Sequence, residues 1–273
     1  MKKRNLFRVF YSMALFLMPC MATLGINGDT VVKAGKKTDM EEILPGILSF
    51  QISEKYQKGA IQAQAVIARS NLFRKLENRK NIWEFMKVVK EELQDTKKIW
   101  KVPDSIYAEA VEDTEGVVLT VEGNLKLVPY HELSAGETRD GEETFHDKEY
   151  SYLKSVDSSQ DKESEDFLTE ISLSVGQIPD ELKIKEYDQA GYVLSLETEG
   201  EILEGEAFAW GIGLPSSNFM IQREDDQLRI VSKGKGHGLG FSQYGGNELA
   251  KEGKTWKEIL NTYFPEMEIS NYL

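Results

Sequence analysis

The chain has 273 residues, 40% of them hydrophobic, and a formal net charge of −13. That length suffices for one large domain or two small ones, each with its own core. The acidic balance argues against a nucleic-acid partner, which needs a basic face, and the single cysteine excludes an intrachain disulfide or a cysteine-based metal site.

In chain order, Lys2, Lys3, Arg4 and Arg8 form a positive start, and Val9 to Ile26 is almost entirely apolar, with Cys20 inside it. Such a span either crosses a bilayer as an anchor or serves as the core of a cleaved export signal; the basic residues would stay on the cytoplasmic side. Residues 1–27 are therefore expected to link the protein to the cell membrane or export it to face outside the cytoplasm. Gly28 to Asp39 is polar and of mixed charge and reads as a tether, leaving 40–273 as one domain. Ala60 to Leu76 lacks Gly and Pro, is rich in Ala, and predicts a closely packed helix. Ile82, Phe85, Met86, Val89 and Leu93 recur at helical spacing and predict a second, amphipathic helix.

Beyond Pro103 the texture becomes strand-like, with Gly116–Val121 and Leu125–Tyr130 flanking a Glu122-Gly123-Asn124 turn. Thr138 to Glu170 is acidic and Ser-rich and is expected to be largely exposed. Ile171 to Val231 predicts several strands, with turns near Glu199-Gly200-Glu201, Leu214-Pro215-Ser216 and Glu224-Asp225-Asp226. Gly234, Gly236, Gly238 and Gly240 then alternate around His237, so main chain can approach main chain or ligand closely. The run lacks the ending of a phosphate loop and the spacing of a dinucleotide fingerprint. Thr255, with Glu258 three residues on, predicts a capping box on a last helix that ends before Pro265. Helices first and a mostly β body afterwards predict an α+β fold, N-terminal helices packed on a mixed, mostly antiparallel sheet system.

The segment Gly234-Lys235-Gly236-His237-Gly238-Leu239-Gly240-Phe241-Ser242-Gln243-Tyr244-Gly245-Gly246, with Gly253 to Leu260 and Tyr263-Phe264-Pro265, resembles the C-terminal signature of the stage II sporulation protein D (SpoIID/LytB) family. Further motifs are similar and fall in the family's order. Gly46 to Phe50 followed by Ala60 to Ser70 resembles its strand-like lead-in and Ala-Gln-Ala-Val helix. Ala110 to Thr120, Tyr130-His131 through Thr138, Tyr152 to Asp157 and Gly213 to Phe219 follow. Residues 77–104 depart from it.

The resemblance implies a peptidoglycan lytic transglycosylase, which cuts between N-acetylmuramic acid and N-acetylglucosamine and leaves a 1,6-anhydro end. It needs no cofactor. One carboxylic acid protonates the leaving oxygen and then takes the C6 hydroxyl proton. In the family that acid is a glutamate shortly before the Ala-Gln-Ala-Val helix, and the matching position here is Gln51. An amide hydrogen-bonds a sugar but cannot cycle a proton near neutral pH. Glu54 is either a substitute acid or a helix-dipole partner in a first turn capped by Ser53. Glu41 and Glu42 read as a solvated face.

The resemblance also makes Arg69, Ser134, Thr138, His237, Ser242, Gln243 and Tyr244 candidate glycan contacts. The residues themselves allow blander roles: a structural ion pair for Arg69, a simple turn around Ser134 to Thr138, a main-chain lock for His237, a packed aromatic for Tyr244. Some relatives hold zinc through His and Cys near the Ser134 loop; this chain has His131 and His146 there but no cysteine beyond Cys20, so no metal is expected. The function expected is binding of peptidoglycan glycan strands with transglycosylase activity impaired or lost. An active enzyme using Glu54 or another acid not evident from sequence, and a purely structural envelope protein, are the alternatives. Expected partners are the strands, a peptidoglycan amidase and other engulfment proteins, and the membrane through the N-terminal segment.

Overall fold

The computed structural model describes residues 41–77, 105–174, 182–224 and 227–272. The expected membrane segment, the tether and the amphipathic helix at Ile82–Leu93 lie outside these residues. Among the described residues no helix is long and apolar enough to cross a membrane.

Helix α1 covers 41–51 and, after a turn, α2 runs Lys58–Glu77. The lead-in around Gly46–Phe50 is thus helical rather than strand-like: Leu44, Ile47 and Leu48 are all buried at helical spacing and dock on α2. Helix α2 is the central element of the fold. One side of it, with Ile61, Ala65, Ala68 and Leu72, packs on α1 and on α3 (Ser105–Asp113). Its other side, with Ala63, Val66 and Ile67, packs on Phe241 and on α7 (Trp256–Tyr263) through Ile259 and Tyr263. A helix buried on both sides shows no polar stripe, and its alanines permit the close approach of two layers.

Strand β1 (Val117–Val121) lies between β11 (Glu268–Asn271) and β2 (Asn124–Leu125), both antiparallel to it. The β1–β2 turn is Glu122-Gly123, both at positive φ (51° and 75°), the geometry a two-residue hairpin needs. The strand expected to continue to Tyr130 breaks after Leu125, and Tyr130–His131 forms a separate strand, β3. It pairs in parallel with β10 (Phe241–Ser242), which brings the glycine run against the 130–139 segment.

The acidic Thr138–Glu170 stretch is not largely exposed. Thr138, Arg139, Gly141 (opening α4, Gly141–Phe145), Tyr152, Leu153, Ser158 and Asp161 are buried. Tyr152 and Leu153 anchor the segment in the α2–α7 core, and the charges face outward between those anchors.

The rest is antiparallel. Strands β4 (Leu168–Ser174), β9 (Gln227–Lys233) and β8 (Phe219–Glu224) form one sheet in that order. Strands β5 (Lys183–Tyr187), β6 (Val193–Thr198) and β7 (Glu201–Glu204) form another, with a two-residue turn at Glu199-Gly200. Helix α5 (Gly205–Gly211) follows β7 directly, and Val193, Leu196, Ala209, Phe219 and Ile230 make a third core. Helix α6 (Gln243–Lys251) follows the glycine run. Apart from the parallel β3–β10 pair, the strand pairings are antiparallel, so the molecule is α+β, as expected.

Candidate functional site

Gln51 is the last residue of α1, and the carbonyls at a helix end have no partner within the helix. Two side chains supply donors. The Tyr107 hydroxyl donates to the Ile52 carbonyl at 2.7 Å, and Gln243 Nε2 donates to the Gln51 carbonyl at 2.7 Å. That second bond fixes the Gln243 amide, because a carbonyl only accepts. Gln243 Nε2 also donates to Gln64 Oε1 at 3.2 Å, so Gln64 in turn directs its Nε2 to Gln51 Oε1, at 2.9 Å. Gln64 is fully buried on α2 and Gln243 nearly so. The Gln51 side chain is thereby held through its oxygen, while its NH₂ group remains a donor. A carboxylate at this position would accept the same Gln64 N–H.

Gln51 lines a cleft of about 740 Å³. The last turns of α2 (Asn71, Arg74, Lys75) and residues 127–130 form one wall. The end of α4 (Phe145, His146) forms a second, and β6 with Glu204, Gly205 and Glu206 forms a third, with Arg139, His237 and Leu239 completing it. The cleft therefore joins the two ends of the chain that carry the motifs, Gln51 and His237.

The glycine run passes close behind the cleft. A side chain at Gly240 would lie 2.3 Å from the Pro129 carbonyl, and one at Gly238 would lie 2.4 Å from the Tyr192 ring; both residues have positive φ. Two histidines hold the main chain of one residue, Leu239, by its N–H and its carbonyl. The buried His131 donates from Nδ1 to the Leu239 carbonyl at 3.0 Å, and Nδ1 of His237 accepts from the Leu239 N–H at 3.1 Å. Burial, then the neighbouring His237, hold the His131 pKa down to about 3. Its Nε2 is buried with no hydrogen-bond partner. His237 keeps an open surface in the cleft, yet protein surrounds it on most sides. That desolvation lowers its pKa, the Glu206 carboxylate opposing and Arg139 assisting. His237 is therefore a neutral main-chain lock with one ring face on the cleft, and its Nδ1 is committed to the Leu239 amide.

Arg139 is the residue that sequence reasoning missed. It is buried, its Nε donates to Asp188 and its Nη1 to Glu206, each at 2.5 Å, and Nη1 also reaches the His237 carbonyl at 3.2 Å. Its guanidinium lies over the Tyr192 ring at 4.9 Å. One cation thus ties the 134–139 loop, the glycine run, the 188–192 turn and α5 together. Its bond to Glu206 holds that side chain at the cleft wall.

Several expected contacts belong elsewhere. Arg69 is fully buried: Glu41 takes its Nε and Nη2 at 2.7 and 2.8 Å, and the Val111 and Val117 carbonyls and Thr114 take the rest. It is a structural ion pair and not a glycan contact, and Glu41 is its partner rather than part of a solvated face. Ser134, Thr138 and Ser242 are buried too and bonded within the protein, Ser134 and Ser242 also to the Asp161 carboxyl. Their hydroxyls accept from the N–H of Gly136, Val156 and Gly245 respectively. Gln243 acts through Gln51 and does not line the cleft, and Tyr244, half-buried near Tyr56 and Glu248, does not line it either. Glu54 is not in a helical first turn. It lies exposed in the turn before α2, where the Ser53 hydroxyl accepts from the Lys55 N–H instead of capping a helix, and it is not among the cleft residues. Among the described residues no His, Cys, Asp and Glu group of three or more is arranged to hold a metal ion.

Comparison with known proteins places this geometry. Residues 29–121, which include Gln51 and Gln64, match the family model described as stage II sporulation protein. The chain is similar to stage II sporulation protein D of Bacillus subtilis (strain 168), 26% identical over 257 residues, 85% of this chain and 74% of the relative. The similarity to stage II sporulation protein D of Bacillus amyloliquefaciens is 29% over 259 residues, with the same shares. A shorter stretch of 57 residues is 33% identical to an amidase enhancer of Bacillus subtilis (strain 168), covering 21% of this chain and 8% of that protein.

Proposed function

The chain belongs to the stage II sporulation protein D family, and from that premise we propose that its cleft binds peptidoglycan glycan strands without cutting them. The observation that carries this reading is Gln51. It stands on the cleft at the position where the family resemblance expects the catalytic glutamate, held by the Gln64 N–H as a carboxylate would be. The scaffold for an acid is intact and the acid is an amide. Loss of general acid–base help costs on the order of 10² to 10⁴ in rate, and a single-acid mechanism has no second catalyst to fall back on.

The other acids at the cleft do not replace it. Glu206 is committed to an ion pair with Arg139, and Glu204 and Glu206 sit on the wall formed by β7 and α5. Glu54, the substitute considered from sequence, lies outside the cleft, so the active-enzyme reading loses its candidate. Orientation of a sugar in the cleft falls to the Gln51 NH₂ donor, the exposed His237 ring face and the Phe145 ring. Cell-envelope placement through residues 1–27 and cooperation with an amidase are part of the same proposal.

The test is co-sedimentation of the full chain with peptide-free glycan strands, followed by mass spectrometry of the strands. Binding without new 1,6-anhydro ends supports the proposal. Anhydro ends made by the native chain would replace it with the active enzyme, and absence of binding would leave a purely structural envelope protein.

A further inference from the structure

Trp210 is 87% exposed, the most exposed of the large hydrophobic side chains among the described residues, and it makes no packing contribution to any of the three cores. Its position in α5 is informative. Glu206, which reaches Arg139 on the cleft wall, is four residues earlier, and residues four apart share one face of a helix. Gly205 and Ala209 make the buried face of α5, with Phe208 partly buried against Phe219, so Glu206 and Trp210 together occupy the opposite, open one. Side chains on a helix lean toward its N-terminus, which tilts the indole of Trp210 back over the turn that carries Glu206. On β7, Ile202 is 64% exposed and stands two residues from the cleft residue Glu204, hence on the same strand face. The rim where β7 and α5 leave the cleft thus carries two exposed apolar side chains, Ile202 and Trp210, among exposed glutamates.

A cleft of about 740 Å³ holds a ligand the size of a short oligosaccharide. A polymer that enters it must run on across a rim, and the only wall of this cleft that continues as an exposed aromatic one turn beyond a lining residue, among the described residues, is α5. We propose that Trp210 is an outlying sugar-stacking subsite, which contacts the glycan strand beyond the cleft and makes affinity depend on strand length. The proposal rests on the glycan-binding reading above and adds the direction in which the strand leaves. The flat indole face offers an apolar platform to the C–H face of a pyranose, and being exposed it is available without rearrangement.

The experiment compares the full native chain with Trp210→Ala and Trp210→Phe for binding to long peptide-free glycan strands, to a single GlcNAc–MurNAc disaccharide and to anionic phosphatidylglycerol vesicles. Trp210→Ala is expected to weaken long-strand binding about fivefold to tenfold, the size of one lost aromatic contact, to leave disaccharide binding unchanged, and to leave thermal stability unchanged. Trp210→Phe should recover part of the loss. Equal long-strand affinity of native and Trp210→Ala chains overturns the subsite and leaves the glycan reading standing. Equal loss on strand and disaccharide overturns the outlying position, and a defect confined to anionic vesicles assigns Trp210 to a membrane instead. If the native chain binds neither ligand, the glycan reading itself fails and the subsite with it.

Discussion

The amide of Gln64 donates to Oε1 of Gln51 across 2.9 Å, from a fully buried position on α2 to the end of α1 at the cleft. Gln64 is itself oriented by Gln243, so three amides in series connect the Ala-Gln-Ala-Val helix, Gln51 and the start of α6. In such a chain each residue is oriented by the next, and Gln51 can be aimed only if Gln64 and Gln243 are both in place.

Replacing Gln64 by Leu should therefore leave the fold in place at a cost of about 1–3 kcal/mol, from lost hydrogen bonds and a stranded Gln243 donor. In a chain that also carries Gln51→Glu, it should lower any glycan cleavage by about tenfold to a hundredfold, the worth of a hydrogen bond to a charged group. Chemical denaturation gives the first quantity and the rate of anhydro-end formation the second.

The two histidines predict the response to pH. The His131 pKa is held down to about 3, against an ordinary 6.5, chiefly by burial, and His237 is lowered in the same direction. A depressed pKa means stability that is fully present above about 6.5 and is lost as pH falls toward 3. For His131 the loss approaches about 1.4 kcal/mol per pH unit. Burial pushes the Asp161 pKa up, which acts in the opposite sense: its contribution is present below the ordinary carboxylate range and is lost as pH rises. His131→Asn keeps a donor for the Leu239 carbonyl without a titrating ring. The difference in stability between native and His131→Asn chains, in which Asp161 cancels, should narrow from pH 7 to pH 5. A difference that stays constant over that range would contradict the neutral buried imidazole.

Arg69 and Glu41 make the third prediction. Arg69 is fully buried and Glu41 mostly so, and the pair is bidentate. Glu41→Ala should cost about 3–5 kcal/mol by leaving a buried cation uncompensated. Arg69→Met with Glu41→Leu should cost much less than that single change. Midpoints of chemical denaturation with an unchanged slope are the readout.

What could be read before the structure was local. The Thr255–Glu258 capping box is present in full, because both partners lie within one helical turn. The glycine run was legible as a place of close backbone approach, and Gly240 against the Pro129 carbonyl is such a place. What failed needed direction or distance. Ser134, Thr138 and Ser242 are polar, as groove residues would be, but composition does not say which way a hydroxyl points, and all three turn inward to main-chain amides. The partner of Arg69 lies 28 residues away in a segment that reads as solvated. Arg139 sits in an acidic stretch where a lone arginine suggests a surface pair, and its partners Asp188 and Glu206 are 49 and 67 residues distant. Helix α6 was hidden by Gly245 and Gly246, which weaken helical propensity. They stand there because the Tyr263 hydroxyl and the Phe241 ring occupy the space a Cβ would need, each at 2.2 Å.

On the glycan-binding proposal, this cleft lacks only its acid. The most direct test is Gln51→Glu in the full chain, incubated with peptide-free glycan strands, with 1,6-anhydro ends counted by mass spectrometry against the native protein. Anhydro ends are expected from Gln51→Glu at a rate at least about a hundredfold above the native chain, with strand affinity retained. A Gln51→Glu chain that folds and binds strands yet cuts no faster than the native protein would contradict it.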